Sequence, residues 1–181
     1  MSSGFYREGE GRIVLRVEEV ERLLLISMAE QVLEMVAPRD VDPDADPLFA
    51  VVGIEPTTQR PRSEVLLRLF PDAYGDDDEA SAEFRRFTER DLRRMKTDHA
   101  NAVMESLQRS GDKVMLSINL APSWLGFLND VRLALGVRIG IDDDFHDEVE
   151  EFERDDPRLA LLGVYDWLTY LQESLVQIML P

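Results

Sequence analysis

The stretch Ser123-Trp124-Leu125-Gly126-Phe127-Leu128-Asn129-Asp130-Val131-Arg132-Leu133-Ala134-Leu135-Gly136-Val137-Arg138-Ile139-Gly140 decides how this chain folds. Turned through about 100° per residue, it gathers Trp124, Phe127, Leu128, Val131, Ala134 and Leu135 into one apolar sector. Leu125 and Leu133 fall outside that sector, so little of the circumference looks wet. A helix apolar on nearly every side belongs in an interior. Asn129 and Arg132 nevertheless stand one turn apart within it, and an interior polar pair needs hydrogen-bonding partners. The expectation is a central packing helix, Trp124–Arg138, carrying a buried polar lock.

Two segments that precede this helix resemble each other weakly, as an internal repeat or by the chance likeness of amphipathic units. Arg12-Ile13-Val14-Leu15-Arg16-Val17 and Lys113-Val114-Met115-Leu116-Ser117-Ile118-Asn119 both follow a glycine, and a helix follows each. Phe5 to Val17 reads as a hairpin turned at Gly9 and Gly11. The strands near 12–17 and 113–119 are expected to pair into one small sheet. After Glu18 a helix is expected to turn Val20, Leu23, Leu24, Ser27, Met28, Gln31, Val32 and Met35 inward, and Pro38 stops it. Residues 39–47 read as a loop, Asp46, Pro47 and Gly53 as the ends of a short helix, and Glu55–Arg62 as a polar surface loop. Val65–Phe70 reads as a further helix, although a buried strand would show a similar pattern.

A long helix begins at the acidic run Asp76–Glu79 and extends to about Gln108, with Phe84, Phe87, Leu92, Met95, Val103, Met104 and Leu107 expected inward. A short acidic helix follows Asp142, and a last helix is capped by Asp156 with Pro157 at its first position. The fold class is therefore mainly α, a compact helical domain with a small β element, and residues 1–181 form a single domain.

The chain has 181 residues, 44% of them hydrophobic, which is enough for a core. It contains no cysteine, which excludes disulfides, thiolate metal sites and thiol redox sensing. Its formal charge of −17 disfavours direct nucleic-acid binding and binding to anionic membranes. No signal peptide and no apolar run of roughly 20 residues is apparent, so a cytoplasmic protein is expected.

Motifs for chemistry are sparse. Neither Asp40-x-Asp42-x-Asp44-x-Asp46 nor the Asp142–Glu150 cluster has calcium-loop spacing. His99 and His146 lack neighbouring ligands or triad partners. No catalytic residue, metal site or cofactor is expected. Arg86, Arg90, Arg93 and Arg94 concentrate cations on the long helix and form the expected partner surface, although pairing with the chain's own acids is an alternative use for them.

Pro71-Asp72-Ala73-Tyr74, Glu83-Phe84-Arg85-Arg86, Trp124-Leu125-x-x-Leu128-Asn129-Asp130-x-Arg132-Leu133-x-Leu135-Gly136-x-Arg138 and Tyr165-Asp166-Trp167-Leu168-x-x-Leu171-Gln172 occur in that order. In these motifs the chain resembles an actinobacterial domain-of-unknown-function family, the AosR-type oxidative-stress transcriptional regulators. The resemblance implies a regulatory protein whose partner is another protein, such as a sigma factor or a Clp-related component. Members described as redox sensors use closely spaced cysteines, and this chain has none.

The leading expectation is a non-enzymatic protein that acts by protein–protein contact, with homodimerisation through an apolar helix face left open. Glu83, Arg85, Arg86 and Asp166 are the expected partners of Asn129, Asp130 and Arg132 in the lock. The alternative is a small-ligand binder or enzyme built on that Asp/Arg/Glu cluster.

Overall fold

Gly9 and Gly11, at φ 67° and 81°, turn the first hairpin in a backbone region that side chains disfavour. The computed structural model describes residues 3–9, 11–37, 59–109, 111, 113–142, 145, 149, 152, 153 and 155–180. Strand β1 (Gly4–Glu8) runs antiparallel to β2 (Arg12–Arg16), which runs antiparallel to β3 (Lys113–Ser117). The two look-alike segments thus lie side by side, with Ile13 opposite Leu116 and Leu15 opposite Val114. Those four side chains join Phe5 in the core. Val14 is buried too, on the other face of the sheet, where Tyr6 and Met115 flank it. The last strand stops at Ser117, short of the expected residue 119, because Ile118–Leu120 close into a 3-10 turn.

Five α-helices are described: α1 (Glu19–Val36), α2 (Glu64–Leu69), α3 (Asp78–Gln108), α4 (Ala121–Ile139) and α5 (Pro157–Met179). Local chemistry accounts for their ends. Glu18 and Glu21 make a reciprocal capping box at the start of α1, and the Asp77 and Asp156 side chains accept N–H bonds from Ala80 and Arg158. Gly140, at φ 85°, ends α4 in a left-handed cap.

The opening stretch is the central helix. It packs against α2, α3 and α5, while α1 lies on α3. All six residues of its expected sector are buried, and Leu125 and Leu133 pack against the core as well. Trp124 sits edge-on to Phe5 at 5.5 Å and to Phe127 at 6.4 Å. Strand β1 is also tied to the last helix: the Phe5 N–H donates to Ser174 Oγ at 3.2 Å, and Arg7 Nη2 donates to the Ile178 carbonyl at 2.7 Å.

Two helices face differently from expectation. In α1 the buried side is Leu25, Met28, Ala29, Val32 and Val36, whereas Val20, Leu23, Leu24, Ser27 and Gln31 are exposed. Apolar residues surround much of this helix, so periodicity alone left its angle loose, and packing on α3 set it.

The difference in α3 is larger. Val103 and Leu107 are buried as expected, but Phe84, Phe87 and Met95 are 47%, 52% and 46% exposed. Ser81, Arg85, Glu89, Arg93 and Lys96 point inward instead. The charges can do so because they neutralise one another inside the protein. The expected loop at 39–47, the short helix at Asp46–Gly53, residues 55–58 of the expected surface loop, most of the acidic helix after Asp142, and His146 lie outside the described residues.

Candidate functional site

The residues expected to form one lock form three separate groups. The first is a ladder on the inner face of α3, where positions four apart stack along one side of the helix. Glu89, 2% exposed, accepts from Arg85 Nη1 at 3.2 Å and from Arg93 Nη2 at 2.7 Å. Arg85 also pairs with Asp72 and donates to the Phe70 carbonyl at 3.1 Å, at the end of α2. Arg93 donates to the Ala37 carbonyl at 3.2 Å, at the end of α1, and its guanidinium lies 4.4 Å from the centre of the Phe70 ring. Two arginines thus meet the negative ends of two helices, and one carboxylate holds both. Asp72 was not among the residues expected here, although it stands in the first motif.

Arg60 extends the ladder to the surface, its Nε 2.7 Å from Asp72 Oδ2. The Arg60 hydrogen bond foremost, and that from Arg85, hold the Asp72 carboxyl below the ordinary aspartate value of 3.8, against the effect of burial. A group with a depressed folded-state pKa contributes stability above the unfolded value and loses it as pH falls through the folded one. Wild-type protein should therefore lose this contribution below about pH 4. Asp72→Asn should be less stable at neutral pH and should show a shallower loss on acidification. Chemical denaturation at stepped pH checks this, and parallel slopes would contradict it.

The second group joins α3 to α4. Lys96 Nζ pairs with Asp130 Oδ1, and both side chains are buried. Burial raises the Asp130 pKa, while the Lys96 hydrogen bond and charge act in the opposite direction. Close by, a Cβ added to Gly126 would lie 2.2 Å from His99 Nδ1, so this glycine lets the histidine ring seat against α4. Gly126→Ala is expected to destabilise by about 1–3 kcal/mol through overpacking, despite the helix-favouring change. In a His99→Ala background the same substitution should become stabilising, which thermal melts of the four proteins would reveal as a reversed sign.

The third group joins α4 to α5. Arg132 Nε donates to Thr169 Oγ1 at 3.0 Å, Nη1 to Gln172 Oε1 at 2.9 Å, and Nη2 to Tyr165 OH at 3.2 Å. Asp130 and Arg132 therefore diverge, being about 200° apart around an α-helix. Neither Thr169 nor Tyr165 was among the expected lock residues. The spacing of Tyr165, Thr169 and Gln172 at four and three residues was the available signal. Asn129, Glu83 and Asp166 are exposed, so none of them completes a buried lock. Arg86 is half-buried.

Of the expected partner surface, Arg90 and Arg94 are exposed, and Arg94 pairs with Asp91 at 3.2 Å. Arg93 is the correction: it is buried, because Glu89 and the Phe70 ring receive it. The exposed residues of α3 instead combine Phe84, Phe87 and Met95 with a flank of Arg90 and Arg94. Farther along, Asp98, Asn101, Glu105, Arg109, Met115 and Leu120 line an open groove of about 550 Å³ that shares no lining residue with the three groups. Among the described residues no His/Cys/Asp/Glu group is arranged to hold a metal ion, and no helix is long and apolar enough to cross a membrane.

Residues 2–179 match the family model of a domain of unknown function, DUF2017. The chain belongs to the DUF2017 family. It is similar to proteins named oxidative stress regulator AosR from Mycobacterium bovis and Mycobacterium tuberculosis. Each is 30% identical over 174 residues, covering 88% of this chain and 78% of the relative. No solved structure matches the chain. The DUF2017 match spans the first hairpin, the central helix and α5, so the motifs that first suggested the family lie within one matched region.

Proposed function

We propose that this protein is a non-enzymatic regulator that acts by contact with another protein through the outer face of α3. The observation that supports it most is the line of half-exposed Phe84, Phe87 and Met95 beside Arg90 and Arg94. Aromatic residues, methionine and arginine are the types enriched at protein interfaces, and grouped exposed apolar side chains mark such sites. The regulatory part of the reading rests on the names of its relatives. Without cysteine, no disulfide switch is available to the protein.

The partner expected on this reading is a transcription or proteolysis component, such as a sigma factor or a Clp-related protein. Affinity purification from the native host tests it. Wild-type protein should retain such a component, and a Phe84→Ser/Phe87→Ser variant should lose it while melting within a few degrees of wild type. Recovery of abundant chaperones alone, or equal capture by the variant, would overturn the proposal. On the same reading, a gel shift with duplex DNA should show no complex even at low salt.

A further inference from the structure

We propose that Arg132 is the centre of an oxyanion-binding site between α4 and α5, suited to a carboxylate or a phosphate group. The site is independent of the α3 face and survives if that reading fails.

The three inward-facing cations of α3 each meet a carboxylate: Arg85 and Arg93 share Glu89, and Lys96 has Asp130. Arg132 is also half-buried, yet among the described residues every group it contacts is neutral. Its positive charge is thus held in place without being cancelled, and a partly desolvated charge gains from a counter-ion.

The neighbours add donors to the Arg132 charge. The Thr169 hydroxyl accepts from Arg132 Nε and donates to the Tyr165 carbonyl at 2.9 Å, so its role is spent on positioning. Gln172 uses its carbonyl oxygen on Arg132, which leaves its amide N–H groups to donate. Tyr165 accepts from Arg132 at its hydroxyl oxygen, which leaves its O–H to donate. A guanidinium has five N–H donors, and three are engaged here, leaving one on each terminal nitrogen. The donors left over around Arg132 are therefore its own two terminal N–H groups, the Gln172 amide and the Tyr165 hydroxyl. Donors around an uncancelled cation suit an oxyanion, and the two terminal nitrogens match its paired oxygens. The guanidinium carbon lies 5.0 Å from the Tyr165 ring centre, a contact that helps keep the fork in one orientation.

The test is a titration of the full chain by ¹H–¹⁵N NMR at constant ionic strength balanced with chloride. Inorganic phosphate is the probe in one arm and acetate in the other. Saturable shifts should concentrate on the Arg132 Nε–H, the Gln172 side-chain amide and the backbone from Tyr165 to Gln172. Saturation by phosphate, by acetate or by both supports the site and identifies which source of oxyanion it accepts. Gln172→Glu supplies an internal carboxylate opposite Arg132. It should raise the melting temperature and weaken anion binding at least about tenfold. Tyr165→Phe keeps the ring and removes the O–H, and should weaken binding several-fold. Equal shifts with chloride, no saturation in either arm, or unchanged affinity in folded Gln172→Glu protein would each overturn the proposal.

Discussion

Replacing Glu89 with glutamine is expected to destabilise the protein by about 3–5 kcal/mol, because it removes the negative charge between two buried arginines. The size follows from what remains. Arg85 keeps Asp72 and the Phe70 carbonyl, but among the described residues Arg93 keeps no carboxylate, only the Ala37 carbonyl, the Phe70 ring and the neutral amide oxygen that glutamine supplies. None of these cancels a unit charge in an interior. At about 2–4 °C per kcal/mol for a chain of this size, the melting temperature should fall by something on the order of 10 °C. Since α1, α2 and α3 meet at this carboxylate, the loss should appear as reduced amide protection at the ends of α1 and α2 before the central helix is affected. A melting temperature within a degree or two of wild type would show that Glu89 contributes little. By contrast, Arg94→Ala on the outer face removes only an exposed ion pair and should cost less than about 1 kcal/mol.

The second large effect is expected at the α3–α4 contact. Lys96→Met leaves Asp130 buried without its cation, and Asp130→Leu leaves Lys96 buried without its anion. Each should cost about 3–5 kcal/mol. The double variant Lys96→Met/Asp130→Leu replaces the pair by apolar groups of similar bulk and should recover most of that loss, because both desolvation penalties vanish together. Denaturant titrations of all four proteins give the coupling directly. If the single-variant losses simply add, the pair is not acting as a unit. Asp130 also gives a pH signature opposite to that of Asp72. Its folded-state pKa is raised, so its titration favours the folded state below the ordinary aspartate value of 3.8 and that advantage is lost as pH rises through the folded value. The double variant should lack this opposing component.

Much of the architecture was legible in the chain. The central helix declared itself because apolar residues crowd almost all of its circumference, which only an interior position permits. The sheet was legible because two short alternating segments share a pattern, and antiparallel pairing places their apolar residues on one face. The facing of α3 was not legible from hydrophobicity, which puts Phe84 and Phe87 inside and arginines outside. What reversed it is a local neutralisation that a hydrophobic scale cannot register: Arg85, Glu89 and Arg93 alternate in sign at one-turn spacing, and Asp72 and Phe70 wait one helix away. The family motifs held this information, since Asp72 and Arg85 belong to two of them. For the same reason the expected lock dispersed. Asp130 and Arg132 are close in sequence but face different helices, and only Arg132 meets residues of the last motif.

The bonds from β1 to α5 bear on how the chain is made. During synthesis β1 emerges first and α5 last among the described elements, so Phe5 and Arg7 wait for Ser174 and Ile178 to leave the ribosome before their hydrogen bonds can form. The hairpin can close early, since its contacts are local, but its seating on α5 waits until that helix has emerged. A nascent chain stalled before α5 therefore presents a sheet whose edge strand β1 lacks its hydrogen-bonding partners on that helix, with Phe5 resting on Trp124 alone among the aromatic rings of the described residues.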